Sequence, residues 1–582
     1  MKNLIPKIRK ILKDNHIDAI IIDNGDPHLS EYPHNYWKVR NWATGFTGSN
    51  GYAIISQNKA ALWTDSRYFI QAEQELDLSI FEIQKIGMPD STDILNWIRT
   101  NLNDKARISL NFQTSSYLFF LNLKQLRNIE IIDENYKIEA LWTNRPQIEF
   151  QPIYHFQNSG TDVVTKLQDI KIYLSYIEKD AIVVSQLDNI AWLLNLRGSD
   201  IPYSPLFFSY FILTQERGYL FINKPSLPKE IARALNKNGI EIINYQDFIH
   251  FYKEKFTNKN VLIDGDQSTA LWLSLNNTNE KPSESRIAKL KNIKTPSEIN
   301  LLKNAMKKDC IALIRLNLWI EEQKAKHALF TEYDICKKLR EIKTELPDFK
   351  DESFATIAGF GPNGAIVHYS PQEQNSAIIG DNNFLLLDCG TQYLDGTTDI
   401  TRTIPIGEVS AEQKRAFTAV LKGHIALANK IFNHDTQSCT LDKIAKTYLW
   451  QQNLDYQHGT GHGIGFFLSV HEPPLCIRSN NFSTFKEGMV LSNEPGVYIK
   501  GAFGIRIENV ICVKKHKNSD FLELETLSLF PIDTNAIDFS FIEKTEIDWL
   551  NNYHARIFSE MKELLNEKEL NWLKNKTQPI TK

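Results

Sequence analysis

The stretch Phe384-Leu-Leu-Leu-Asp388-Cys-Gly-Thr-Gln-Tyr-Leu-Asp395-Gly396-Thr-Thr-Asp399-Ile-Thr-Arg-Thr403 reads as a strand, a turn and a second strand, with an aspartate inside each strand. Aspartate is depleted in strands. Asp388 and Asp399 therefore need partners: a metal, a cation or helix-end amides. Asp395-Gly396 is a tight-hairpin signal. That register pairs Leu394 with Thr397 and Gln392 with Asp399. Asp388 and Asp399 then share a face but lie about four residues, roughly 13 Å, apart along the ribbon. This is too far for two ligands of one metal cluster, so either the turn is longer or Gly390 makes a bulge.

Two more clusters lie downstream. Tyr456-Gln-His458-Gly-Thr-Gly-His462-Gly-Ile-Gly leads to His471-Glu472, three histidines within 14 residues. His458 and His462 have i, i+4 spacing, but four interleaved glycines make a helix implausible. The glycines instead let the backbone approach closely and the imidazoles enter a crowded pocket. The third cluster is Glu494-Pro-Gly-Val-Tyr498 followed by Gly504-Ile-Arg506-Ile-Glu508-Asn509. Strand alternation puts Arg506 and Glu508 on one face, where they would form an ion pair. Gly359-Phe-Gly361-Pro-Asn-Gly364, ahead of His368, matches Gly-x-Gly-x-x-Gly. Pro362 interrupts it and no strand–turn–helix unit surrounds it, so a dinucleotide site is rejected. Four carboxylates and one neutral histidine nearly balance two divalent cations. Oxygen-rich ligation favours Mn²⁺, Co²⁺ or Fe²⁺ over a thiolate-type zinc site. Such a two-metal centre suits hydrolysis of an amide or ester.

Around these clusters the chain shows helix starts and a repeat. Thr295-Pro-Ser-Glu298 is a capping box with proline at the first helical position. Ile299, Leu302, Met306 and Leu313 follow at helical spacing. Ser410-Ala-Glu-Gln413 opens a second helix with Phe417, Val420, Leu421, His424, Leu427 and Ile431 on one face, His424 as a core histidine. A terminal helix shows Ile547, Leu550, Ile557, Met561 and Leu564 on one side, for packing against the same domain. Earlier, Asp18-Ala-Ile-Ile-Ile22 is echoed by Asp180-Ala-Ile-Val-Val184, and Trp42 to Gly48-Ser49 by Trp192 to Gly198-Ser199. These echoes predict two related α/β domains, with an insertion between the anchors in the first copy.

The whole chain of 582 residues is too long for one core. Its 66 basic and 70 acidic residues give a net charge of −4 and no basic field for nucleic acid. Apolar runs such as Phe384–Leu387 are strand-sized, not membrane-spanning. Lys7, Arg9, Lys10 and Lys13 alternate with isoleucines, unlike a signal peptide. Six cysteines, none spaced Cys-x-x-Cys, point to reduced thiols and a cytoplasmic setting.

In order and local context, Asp388-(x10)-Asp399, His462, Glu494 and Glu508 resemble the five metal ligands of the pita-bread metallopeptidases. The resemblance extends to Gly361–Tyr369, Asp395–Arg402, His458–Gly463 and Gly501–Asn509, and over nearly the whole chain to the long, three-domain Xaa-Pro aminopeptidase group. It implies two creatinase-like N-terminal α/β domains (1–150 and 151–294), a pita-bread catalytic domain (295–530) and a C-terminal helical extension (531–582), an α/β (α+β) chain. It implies that Asp388 chelates one metal, Asp399 and Glu508 bridge, and His462 and Glu494 hold the other, with Mn²⁺ first choice and Co²⁺, Fe²⁺ or Zn²⁺ as alternatives. His368 and His471 resemble the histidines that contact the scissile carbonyl, and Glu494 a proton acceptor. His458 resembles the histidine beside the proline pocket, and Tyr498 and Arg506 resemble supporting residues. Glu31 and Arg67 resemble residues that reach the substrate in a homodimer. The implied activity is release of the N-terminal residue from peptides with proline second. Prolidase and a non-catalytic peptide-binding protein are the alternatives. All five ligand positions are intact, unlike in members that have lost the metals. Cys389 departs from the usual small residue beside the first ligand, which raises oxidation sensitivity as an expectation.

Overall fold

The computed structural model describes residues 3–265, 268–276, 284–517 and 519–581. The chain forms two compact units, Met1–Leu290 and Lys291–Lys582.

The first unit contains the predicted duplication. One sheet runs in the order Glu82–Lys85, Ala60–Thr64, Tyr52–Ser56, Ala19–Ile22, Arg107–Leu110, Glu130–Ile132. The other runs Ile240–Asn244, Gly218–Ile222, Ser209–Thr214, Ala181–Val184, Val261–Ile263. The echoed segments are equivalent strands. Ala19–Ile22 pairs antiparallel with Tyr52–Ser56 and parallel with Arg107–Leu110. Ala181–Val184 pairs antiparallel with Ser209–Thr214 and parallel with Val261–Ile263. Both are buried along their whole length, as their unbroken apolar runs require. The second echo also holds: helices Val39–Thr44 and Leu187–Leu194 each end in a left-handed residue, Gly45 and Asn195. Within this unit the halves are joined by the Ser116–Thr269 bridge. His28 adds a second tie through the Ser185 carbonyl and the Tyr245 hydroxyl.

The second unit is a set of short antiparallel sheets backed by helices. Ile357–Phe360, Asn383–Cys389 and Ile400–Ile406 form one sheet. Val490–Asn493, Asn509–Lys515, Phe521–Thr526 and Phe432–Asn433 form another. Both predicted capping boxes are present, opening Pro296–Ala325 and Ala411–Ala428. His424 is fully buried, with Nε2 on Asn509 Nδ2 at 3.0 Å, a core histidine as expected. Ile431 lies beyond its helix and is exposed. In the extension, Ile547, Leu550, Ile557 and Met561 of helix Lys544–Met561 join the core that holds Phe417 and Leu421. At about 1.5–3 kcal/mol per buried side chain, these four fasten the extension to the unit. Leu564 lies in the 3₁₀ turn Lys562–Leu564 that follows the helix, off its periodicity, and is exposed.

Candidate metal centre

The ribbon that carries the two aspartates turns one residue earlier than Asp395-Gly396 predicts. Tyr393 pairs with Gly396 and Gln392 with Thr397, so the loop is Leu394-Asp395. On the far side of a break, Asp388 pairs with Thr401 and Cys389 with Ile400 in the same register. Asp399 therefore lies opposite Gly390, on a diagonal from Asp388, a backbone spacing of roughly 7–8 Å. The 13 Å register is avoided by this shift of the turn, and neither a longer turn nor a bulge at Gly390 is involved, since the loop keeps two residues and the register is the same on both sides of Gly390. The cause of the shift lies outside the hairpin. Leu394 N donates to the Asp348 carbonyl, and Lys308 Nζ holds Asp395 Oδ2 at 2.6 Å. Gly396 adopts φ +138°, and a β-carbon there would sit 2.5 Å from Leu302 Cδ2.

Two buried charges fasten the break between the aspartates. Asp309, on helix Pro296–Ala325, accepts from Thr391 Oγ1 (2.8 Å), Tyr393 Oη (3.1 Å) and Thr398 Oγ1. Lys343 Nζ donates to the Gly390 carbonyl at 2.9 Å. A β-carbon at Gly390 would lie 2.1 Å from Ser353 Oγ, so only glycine fits. Sequence reasoning missed both charges. The one available signal was an acid within the apolar stripe that runs from Leu302 to Leu313.

The histidine loop brings the next donor. Gly461–His462 pairs with Cys476–Ile477, and a β-carbon at Gly461 would lie 2.0 Å from the Ser492 carbonyl. His462 Nδ1 lies 3.0 Å from the Gly463 carbonyl, which only accepts, so Nδ1 carries a proton. Nε2 faces Asp399 Oδ2 at 3.3 Å and Glu494 Oε1 at 3.6 Å. Asp399, His462 and Glu508 bring one ligand atom each within 4.8 Å of one another. Glu508 is held by Thr401, whose Oγ1 donates to Oε2 at 2.7 Å. Ser492 Oγ donates to Glu494 Oε1 at 3.2 Å.

Arg506 pairs with Asp388, not with Glu508. Its Nη2 lies 2.6 Å from Asp388 Oδ2. The strand Phe503–Arg506 ends at the arginine and the next starts at Asn509, so the alternation that predicted an Arg506–Glu508 pair stops there. Arg506 Nη1 donates to Tyr498 Oη at 2.7 Å. Tyr498 Oη is 2.8 Å from His458 Nε2, while His458 Nδ1 faces the Gly459 carbonyl. Burial lowers the His458 pKa to about 4, which keeps it neutral. His471 sets its ring edge-on to His462, with centroids 4.2 Å apart. His368 follows Val367, whose carbonyl lies 3.5 Å from Arg506 Nη2. Glu31 and Arg67 belong to the first unit. There Asp65 clamps the Arg67 guanidinium through both oxygens, and Glu31 adds its charge to the field at Arg67.

The electrostatics fit a cation site. Burial raises Asp388 to about 6, against Arg506 and with the charges of Asp399 and Glu494. Burial and the same neighbouring carboxylates push Glu508 well above its usual range. His462 rises to about 9 despite its burial, because Asp399 and Glu494 favour its cation. Asp388 Oδ1 is buried with no hydrogen-bond partner. A buried lone pair left unmatched beside carboxylates that resist ionising together is what a divalent cation would satisfy. Cys389, by contrast, faces the opposite side of its strand and lies in the hydrophobic core, where burial pushes its thiol up. A buried neutral thiol is unreactive, which argues against the expected oxidation sensitivity.

Comparison with known proteins agrees with this layout. Residues 300–515 match metallopeptidase family M24, and 520–580 match the C-terminal region of that peptidase. Residues 5–141 and 144–298 each match a creatinase/prolidase N-terminal domain. Aminopeptidase P2 of Arabidopsis thaliana is 36% identical over 97% of this chain and 86% of its own length. Xaa-Pro aminopeptidase 1 of Dictyostelium discoideum is 35% identical over 99% and 96%. The crystal structure of the X-prolyl aminopeptidase of Caenorhabditis elegans, described as a cytosolic enzyme with a di-nuclear active site, superposes with a TM-score of 0.93. It is 31% identical and covers 97% of this chain and 95% of its own. With its paired N-terminal domains and its clustered donors, the chain belongs to metallopeptidase family M24, in the long aminopeptidase P group.

Proposed function

We propose that this chain is a Xaa-Pro aminopeptidase, releasing the N-terminal residue from peptides with proline in second position. The carrying observation is that Asp399, His462 and Glu508 bring ligand atoms within 4.8 Å of one another with Glu494 on His462 Nε2, while Asp388, in the field of Asp399 and Glu494, keeps Oδ1 buried and unmatched. Asp388, Asp399 and Glu508 would hold one cation, and Asp399, Glu508, His462 and Glu494 the other. Mn²⁺ is the first choice, with Co²⁺, Fe²⁺ and Zn²⁺ as alternatives. When bound, two such cations supply Lewis acidity toward the scissile carbonyl and activate water at neutral pH.

The chain's own residues do the rest. His462 keeps Nε2 toward the carboxylates because Gly463 holds Nδ1. Arg506 fixes Asp388 and carries Tyr498, which in turn fixes neutral His458 beside the expected proline pocket. His368 and His471 contact the carbonyl and the developing oxyanion. Glu494 accepts the proton of the attacking water. An imide bond offers no N–H to grip, so a dedicated pocket for proline is required. Among the described residues no helix is long and apolar enough to cross a membrane. A cytoplasmic homodimer is proposed, in which Glu31 and Arg67 would reach toward the substrate as the family resemblance implies, with domains at 1–150, 151–294, 295–530 and 531–582. Neither nucleic acid nor membrane is a proposed partner. The test compares Arg-Pro-Pro with Ala-Pro after metal loading. Cleavage of the tripeptide supports the reading, cleavage of the dipeptide alone makes the chain a prolidase, and no cleavage of either leaves a peptide-binding protein.

A further inference from the structure

We infer that Glu332 is a positioning residue for His368, an inference that rests on the reading above of His368 as a substrate-contacting group. Glu332 is fully buried at the first position of helix Glu332–Thr344. The helix cap does not use it, since Thr331 and Asp334 form the capping box. Its carboxylate turns instead to the loop that carries His368. Oε1 accepts from Phe360 N at 2.7 Å, and both oxygens face Asn363 Nδ2 at 3.0 Å. Oε2 accepts from Tyr369 Oη at 2.7 Å and Ala377 N at 2.8 Å. The donors bracket His368 in sequence, two before it and two after.

The same loop is pressed against the site by glycines. A β-carbon on Gly504 would lie 1.7 Å from the Gly364 carbonyl, and one on Gly359 would lie 2.8 Å from Gly364. Gly504 belongs to the strand that ends in Arg506, and residues 357–360 pair with the strand of Asp388. Backbone contact thus sets how close the loop comes, and Glu332 sets where along the strands it stops. Burying an ionised carboxylate is costly unless several donors meet it. Here Asn363, Tyr369 and Ala377 belong to this loop and Phe360 N to the end of the strand that leads into it, so the cost is fully offset only when the loop holds one conformation. A misplacement of about 1 Å in a substrate-positioning group can cost roughly 100-fold in rate.

The test is a double-mutant cycle on the metal-loaded full chain, with Arg-Pro-Pro as substrate and bound metal and Tm measured in parallel. Glu332→Gln keeps the volume and replaces one accepting oxygen with a donor. It is expected to lower kcat about 10- to 100-fold with metal content unchanged. His368→Ala is expected to lower kcat strongly. In the His368→Ala background, Glu332→Gln should cause no further loss. Tyr369→Phe removes one donor only and should show a smaller loss with the same dependence on His368, which keeps the test available if Glu332→Gln fails to fold. Equal losses in both backgrounds, or wild-type kcat in Glu332→Gln, would overturn the positioning role. A wild-type kcat in His368→Ala would instead overturn the reading of His368, and the proposal with it.

Discussion

His28 in the first unit and His462 in the second are both imidazoles set among polar partners, yet they do opposite things. His28 uses Nδ1 on the Ser185 carbonyl and Nε2 on the Tyr245 hydroxyl. It joins the two halves of its unit and has no lone pair left over. His462 commits only Nδ1, to Gly463, and points Nε2 at two carboxylates. The aspartates repeat the contrast. Asp200 accepts Gln151 N on one oxygen and Phe208 N on the other. Asp388 gives one oxygen to Arg506 and leaves the other unmatched. Both units bury polar groups. In these two pairs the difference is whether the hydrogen-bonding capacity is used up or is left facing other carboxylates.

The sharpest way to break this contrast is to neutralise carboxylates in both units without changing their size. Asp399→Asn and Glu508→Gln should lower turnover by about 10³-fold or more, with loss of bound metal measured on the same sample. Asp200→Asn should leave kcat within about twofold and lower only the Tm, because its two oxygens accept from two backbone N–H groups within the first unit. Near-wild-type turnover in either of the first two variants would sink the metal assignment.

The histidines give the next largest effect. His462→Ala should remove metal from the folded chain, read by metal analysis. His28→Ala should keep its metal and cost about 1–3 kcal/mol of stability, read by thermal or urea unfolding. If His28→Ala loses metal instead, the division of roles between the units is wrong.

Acid tests the histidines whose role is structural. Burial, reinforced by the charge of Arg402, lowers His424 to about 3 and His554 to about 4. Burial also lowers His28. His424 and His554 stay neutral in the folded chain down to about pH 4, and His28 shifts in the same direction, while the unfolded chain protonates them near 6.5. Below that pH the unfolded state binds more protons, so stability falls as pH drops from about 6.5 toward 4. In His554→Gln the Tm should be lower at pH 7 but fall less steeply through this window. An unchanged slope would mean that His554 does not take part.

How far the sequence anticipates this depends on whether the deciding partner is local. The two capping boxes and the duplicated strands were legible because each is a short-range pattern, whereas the proposed ligand set Asp388, Asp399, His462, Glu494 and Glu508 is spread far along the chain and rests on the family resemblance. The ribbon register was not legible. Lys308, Asp348 and Leu302 set it, and none of them lies in the hairpin. The partner of Arg506 was not legible because alternation holds only while a strand continues, and this one stops at Arg506. Glu332 was missed because a lone acid at a helix start reads as a solvated face, and only the tertiary fold turns it inward; Asp309 sits on the apolar stripe of its own helix, but its partners in the ribbon are distant in sequence. Ile431 and Leu564 show the opposite error, in which apolar periodicity runs past the end of a helix.

The smallest effect belongs to Cys389, and it applies the same contrast to two faces of one strand. Asp388 and Cys389 are neighbours, but a strand sends successive side chains to opposite sides. Asp388 faces the carboxylate cluster, and Cys389 lies in the core among residues such as Leu387 and Leu421. Oxidation needs thiolate character and access. Burial denies both, and the cationic Lys343 nearby offsets it only in part. Peroxide should therefore inactivate wild type and Cys389→Ala holoenzyme at the same rate, within about twofold, with any loss traceable to half-buried Cys336 or Cys476. Clear protection in Cys389→Ala would mean that the Asn383–Cys389 strand opens on the time scale of inactivation. Asp388, a proposed metal ligand, would then ride on a mobile edge rather than on the ribbon that Asp309 and Lys343 hold in place.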